Sequence, residues 1–90
     1  MRHVFEPVKV ETDQRGTPAR VFWGRRTFVV SRVVDRWRYV GKWWLIPNGQ
    51  RRTYYRLEAR PTHGGGRLSE ARVIEVFKQD DAWVLSYLCD

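Results

Sequence analysis

The sequence predicts an all-β fold: a small antiparallel barrel or strongly bent sheet, SH3-like or OB-like in size, with six to seven strands. Three observations carry this. Runs of β-branched and aromatic residues cover most of the chain. Turn signals punctuate those runs at the short intervals typical of small sandwiches and barrels. Even Arg67–Glu75, where a helical turn is conceivable, leads into Val73, Ile74, Val76 and Phe77, which favour a strand. At 90 residues the chain is one domain, 1–90. A domain of this size buries only about 60–65% of its unfolded surface, so its core needs most of the large apolar side chains.

The elements follow in order. Val4–Val10 reads as a strand, but Pro7 cannot donate to a ladder, so it is an edge strand or carries a bulge. Asp13-Gln14-Arg15-Gly16 is a turn. Ala19–Trp23 and Arg26–Val34 are strands joined by Gly24-Arg25, and a two-residue loop with Gly first fits a type II′ turn. Trp43–Pro47 and Gln50–Arg60 flank Asn48-Gly49, a strong hairpin signal. Pro61–Gly66 is a loop by composition. Ala71–Phe77 and Ala82–Leu88 pair across Lys78–Asp81.

Turns fix register, and register assigns faces. Around Gly24-Arg25, Trp23 pairs with Arg26 and Val21 with Phe28. Ala19, Val21, Trp23, Phe28 and Val30 then share the core face, and Arg20, Phe22, Thr27, Val29 and Ser31 the other. Around Asn48-Gly49, Trp44 is expected opposite Thr53 and Trp43 opposite Tyr54. Tyr55, Leu57 and Ala59 point inward with Trp44 and Ile46. Trp43 and Tyr54 point outward among Arg52 and Arg56.

The formal net charge is +7, from 17 Lys+Arg against 10 Asp+Glu. Fourteen of those cations are Arg. The charge is concentrated: residues 15–60 hold 12 bases and two acids, Asp35 and Glu58, whereas the flanks hold five bases and eight acids. Nine of the 13 aromatics lie in the same basic stretch. Basic residues interleaved with rings suit single-stranded nucleic acid. Guanidinium groups track phosphates bidentately, and exposed rings stack on bases. The candidate phosphate-binding residues are Arg20, Arg25, Arg26, Arg36, Arg38, Arg51, Arg52 and Arg56. The candidate stacking rings are Trp37, Trp43 and Tyr54. The same residues have a plainer use. In a thin β core most rings are structural, and Trp44, Phe28 and Trp83 sit on apolar faces. Arg-rich strands also serve as a solvated outer surface, and an Arg bias also marks GC-rich or thermophilic sources.

Several chemistries find no pointer. Only His3 and His63 are present, neither at metal-ligand spacing, and no phosphate-binding glycine loop or HExxH motif occurs. The expectation is therefore no enzyme, no cofactor and no metal. Gly64-Gly65-Gly66 reads as a flexible hairpin tip, with anion binding by its backbone the lesser reading. The single Cys89 cannot form an internal disulfide, which points to a reducing, cytoplasmic setting. No apolar run is long enough for a membrane span, and the opening residues lack a signal-peptide core.

Several segments together resemble a known family. They are Glu6-Pro7-Val8-Lys9-Val10-Glu11, Gly16-Thr17-Pro18, Phe22-Trp23-Gly24-Arg25-Arg26, Val33-Val34-Asp35-Arg36-Trp37, Gly41-Lys42-Trp43-Trp44, Arg52-Thr53-Tyr54-Tyr55-Arg56 and the closing Trp83-Val84-Leu85 with Tyr87. Their order is similar to a small family of bacterial proteins and to the C-terminal tail of ImuB-type homologues of Y-family DNA polymerases. The resemblance implies association with DNA-repair or replication machinery and no particular activity. This chain departs from the tail version in carrying no polymerase domain. Three readings follow: a non-catalytic module for single-stranded DNA or a repair intermediate, a module docking on a repair-polymerase or clamp partner through an edge strand, and a homo-oligomer that covers the outward rings.

Overall fold

The computed structural model describes residues 2–40, 51–62 and 70–89. Six strands lie in these ranges: β1 (Arg2–Thr12), β2 (Pro18–Trp23), β3 (Arg26–Val40), β4 (Arg51–Thr62), β5 (Arg72–Gln79) and β6 (Ala82–Cys89). Each pairs antiparallel with the next, and β6 pairs with β1, so the sheet closes as a barrel in chain order. The all-β expectation is met, and among the described residues there is no helix. The expected strand Trp43–Pro47, the Asn48-Gly49 turn and the Gly64–Gly66 tip lie outside the described residues.

Turn chemistry sets the connections. Asp13 closes the β1–β2 corner: its Oδ1 accepts from the backbone N–H of Arg15 at 2.8 Å and of Thr17 at 3.0 Å. Gly16 supplies φ +81° in that corner, a conformation costly for other residues. At the β2–β3 turn Gly24 has φ +58° and Arg25 stays in the negative range, as a type II′ turn requires. The register is the expected one, with Trp23 opposite Arg26 and Val21 opposite Phe28. The β5–β6 turn is tighter than expected: Gln79 faces Ala82 across Asp80-Asp81, and Asp80 takes φ 55°.

Alternation builds the core. Val21, Leu57, Ala59, Ile74, Val76 and Leu85 are fully buried, with Phe28, Leu88 and Tyr55 beside them. Val4, Val8, Val10, Trp23, Val30 and Trp83 pack around this cluster half-buried. The inward assignment of Tyr55, Leu57 and Ala59 is thus correct, as is that of Phe28.

Three expectations need correction. First, β1 is not an edge strand, because β2 and β6 flank it. Pro7 is accommodated instead near a register shift between His3 and Glu6, the bulge that was the other alternative. Second, β4 runs to Thr62 through Pro61. That proline sits opposite Phe28, beyond Ala59↔Arg72, where the ladder with β5 begins, so it is not asked to donate to β5. Third, β3 reaches Val40, not Val34. Shifts around Ser31 and Val34 bend it, as barrel closure needs, and it then continues beside β4. Both sides of Tyr54 are occupied, by Trp37 and by Phe77, and both sides of Thr53 by Arg38 and Lys78. Tyr54 and Thr53 thus find Trp37 and Arg38 on β3 where Trp43 and Trp44 were expected; Trp43 and Trp44 themselves lie outside the described residues.

Candidate nucleic-acid interface

Even-numbered residues of β4 face outward, and the ladders extend that face across the barrel wall in rows. One row runs Trp37, Tyr54, Phe77, Val84, Pro7, each opposite the next on successive strands. The row beneath runs Asp35, Arg56, Glu75, Tyr87, His3. An apolar, aromatic band thus crosses five strands with charges beside it.

The rings of the first row touch. Trp37 and Tyr54 stack in parallel with centroids 5.2 Å apart, and Tyr54 tilts 44° against Phe77 at 5.1 Å. Such pairs contribute about 0.5–1.5 kcal/mol beyond their burial. Two guanidinium groups lie over them. That of Arg52 stands 4.5 Å from the centre of Phe77, and that of Arg56 5.4 Å from the centre of Trp37. Arg52 is further oriented: its Nε donates to Gln79 Oε1 at 2.9 Å and its Nη1 to the Tyr54 hydroxyl at 3.3 Å. Arg56 lies 3.7 Å from Glu75, a partly solvated ion pair contributing no more than about 1 kcal/mol. Phe77 is only 3% exposed although it points away from the barrel core, because this layer of rings and guanidinium stems covers it. Trp37 and Tyr54 remain half-buried.

The predicted site residues divide. Trp37, Tyr54, Arg52 and Arg56 come together on the outer face. Arg36 and Arg38 lie opposite Tyr55 and Thr53 and so belong to the inward-facing side of the same β3–β4 ribbon, where Arg36 stands over the Tyr55 ring at 5.6 Å. Arg51 shares their side by alternation. Arg25 and Arg26 sit at the far end of the 15-residue β3, in the β2–β3 turn, and Arg26 lies 5.7 Å over Trp23. Arg20 is on the outer face of β2, within 4.0 Å of Glu11. Strand direction and alternation therefore divide the candidate residues into separate clusters. Trp43 lies outside the described residues.

Phe77 is the member of the aromatic row that the sequence reading missed. It follows Val76, and a Val-Phe pair in a short strand reads as core whichever residue points in. Its partner Tyr54 was the available signal, once the β4–β5 register is known. Among the described residues no three His, Cys, Asp or Glu side chains converge as a metal site would require. Comparison with protein-family models, curated proteins and solved structures gives no match for this chain.

Proposed function

We propose that this protein is a non-catalytic nucleic-acid-binding module, acting on single-stranded DNA or a DNA-repair intermediate in the cytoplasm. One observation carries the reading: the Trp37–Tyr54–Phe77 row with Arg52 and Arg56 laid across it. Aromatic rows on antiparallel sheets stack unpaired bases, and adjacent guanidinium groups neutralise phosphates. Stacked rings and cation–π contacts hold the surface in order before any ligand arrives, which lowers the entropy cost of binding. The resemblance to ImuB-type polymerase tails favours a repair setting. The test is fluorescence anisotropy with labelled single-stranded oligonucleotides across a salt series. Binding whose affinity falls with salt at a log–log slope of roughly −3 to −4, as four to six phosphate contacts give, is the expected result. Undetectable binding at about 0.15 M salt and high micromolar protein overturns it.

A second reading rests on a different feature. The ladder between β2 and β3 ends at Val29, so among the described residues no strand covers β3 from Val30 onward on that side. Val33, Val34 and Tyr39 are exposed along this stretch. An open strand edge accepts a partner strand, from a repair polymerase or from a second copy. Arg32, Asp35, Arg36 and Arg38 line the same edge and discourage indiscriminate pairing.

A further inference from the structure

We infer that the groove below the aromatic row is a subsite for one unstacked guanine base. The inference rests on the nucleic-acid reading and adds base selectivity to it. The groove measures about 550 Å³ and is open to solvent, and its lining includes His3, Phe5, Tyr54, Arg56, Glu75 and Tyr87. Its volume lies within the roughly 300–1,000 Å³ typical of small-molecule sites.

The walls supply stacking surface. His3 and Phe5 lie nearly parallel, 15° apart with centroids at 6.0 Å, and His3 meets Tyr87 edge-on at 5.1 Å. Phe5 is 59% exposed, which is wasteful for a phenyl ring in a domain with so little core. Its backbone is left-handed at φ 52°, a region that bulky residues avoid. The register shift between His3 and Glu6 imposes this and places Phe5 on the groove. Bulges commonly re-aim a side chain in this way, and strained backbone gathers at ligand clamps.

The floor supplies the selectivity. Among the described residues Glu75 is the one carboxylate lining the groove, with a side chain only 17% exposed. Its Oε1 accepts from Ser86 Oγ at 3.2 Å, which orients the carboxylate, and its Oε2 lies 3.7 Å from Arg56 Nη2, too far for a strong hydrogen bond. An ionised carboxylate is an acceptor only, with about four lone-pair sites. Guanine offers two adjacent donors, N1–H and the N2 amino group, beside the O6 acceptor. Two carboxylate oxygens match the donors, and the neighbouring Arg56 matches O6. Thymine offers one imino donor between two carbonyls, and adenine and cytosine each offer one amino donor beside an acceptor, so none satisfies the pair as fully.

The test compares labelled oligo-dT octamers carrying dG, dA, dC or dT at the centre, by anisotropy at fixed salt. The dG octamer should bind roughly tenfold more tightly than the dT octamer, within the discrimination expected of one bidentate base contact. Glu75→Gln, whose amide nitrogen faces a donor with a donor, should bring the dG-to-dT affinity ratio to about one. Phe5→Ala, an exposed change that leaves the core intact, should lower the same ratio by removing the stacking wall. Equal binding of all four octamers by the unaltered protein overturns the guanine subsite and leaves the nucleic-acid reading standing. A dG preference that survives both substitutions also overturns it, by placing selectivity elsewhere. Failure to bind any octamer removes both.

Discussion

Two places among the described residues combine tryptophan with arginine, and they are built differently. At the β2–β3 turn, Arg26 covers Trp23, whose indole N–H donates to Glu6 and whose ring packs against the core. On the outer face, Arg56 covers Trp37, whose ring continues through Tyr54 to Phe77 across three strands. In sequence the two look alike: Phe22-Trp23-Gly24-Arg25-Arg26 and Asp35-Arg36-Trp37-Arg38-Tyr39. The first ring is committed to structure, with its one polar group donating to the exposed Glu6 carboxylate of β1. The second ring belongs to a surface layer that extends sideways. Local composition does not distinguish them. The cross-strand partner does, since a lone ring beside a turn has no neighbour to make a platform with.

Substitutions that separate stability from binding sharpen the contrast. Phe77→Ala should have the largest effect, about 3–5 kcal/mol of lost stability, because a nearly buried ring is removed and its cover cannot collapse into the gap. Denaturant midpoints would show it. A loss below about 1 kcal/mol would mean that Arg52 and Tyr54 close over the space, and that Phe77 is not the anchor of the row.

Trp23→Ala comes next, at about 2–3 kcal/mol, less than for a fully buried ring because Trp23 is half-buried. The folded variant should bind oligonucleotides as the parent does. A tenfold loss of affinity in a protein that remains folded would erase the distinction between the two sites. Trp37→Ala should do the opposite. Its stability cost should be near the about 0.5–1.5 kcal/mol of one aromatic pair. Its binding cost should be about 1–3 kcal/mol, the range for one stacked base, with little change in salt dependence.

The fold was largely readable because the turns announce themselves. Gly24-Arg25 dictated a II′ turn and hence the facing pairs on either side of it. The period-two pattern Tyr55, Leu57, Ala59 identified the buried side of β4 without help from the turn assigned to it. What misled was the assumption that β4 pairs with the strand just before Asn48-Gly49. Long-range pairing decided otherwise: β3 passes two bulges and supplies Trp37 to the position expected of Trp43. A bulge leaves little trace in sequence, since Ser31 and Val34 are ordinary strand residues. The site was legible in part for the same reason. Tyr54, Arg52 and Arg56 follow from alternation on one strand. Assigning Arg36 and Arg38 to the opposite side of the ribbon requires the β3–β4 register. The groove around Phe5 was not legible at all, because a left-handed phenylalanine contradicts local preference.

The smallest expected effects concern charge, and they test the comparison most narrowly. Replacing Arg52 and Arg56 together with Gln should flatten the log–log salt slope by about 1.4 units, since each phosphate contact on a single strand contributes about 0.7. Affinity should drop alike for octamers with dA, dC or dT at the centre, because phosphate contacts carry no base information, and further for dG, whose O6 loses Arg56. Replacing Arg25 and Arg26 with Gln removes the same formal charge from the β2–β3 turn. If bound strands follow the outer aromatic row, those two cations lie at the far end of β3, beyond a screening length of about 8 Å at physiological salt. The slope should then be unchanged and affinity should shift less than about twofold, the remaining effect being long-range attraction. Equal slopes for the two double variants would show that the protein attracts nucleic acid by its net charge alone, with no preference for the face where the rings are gathered.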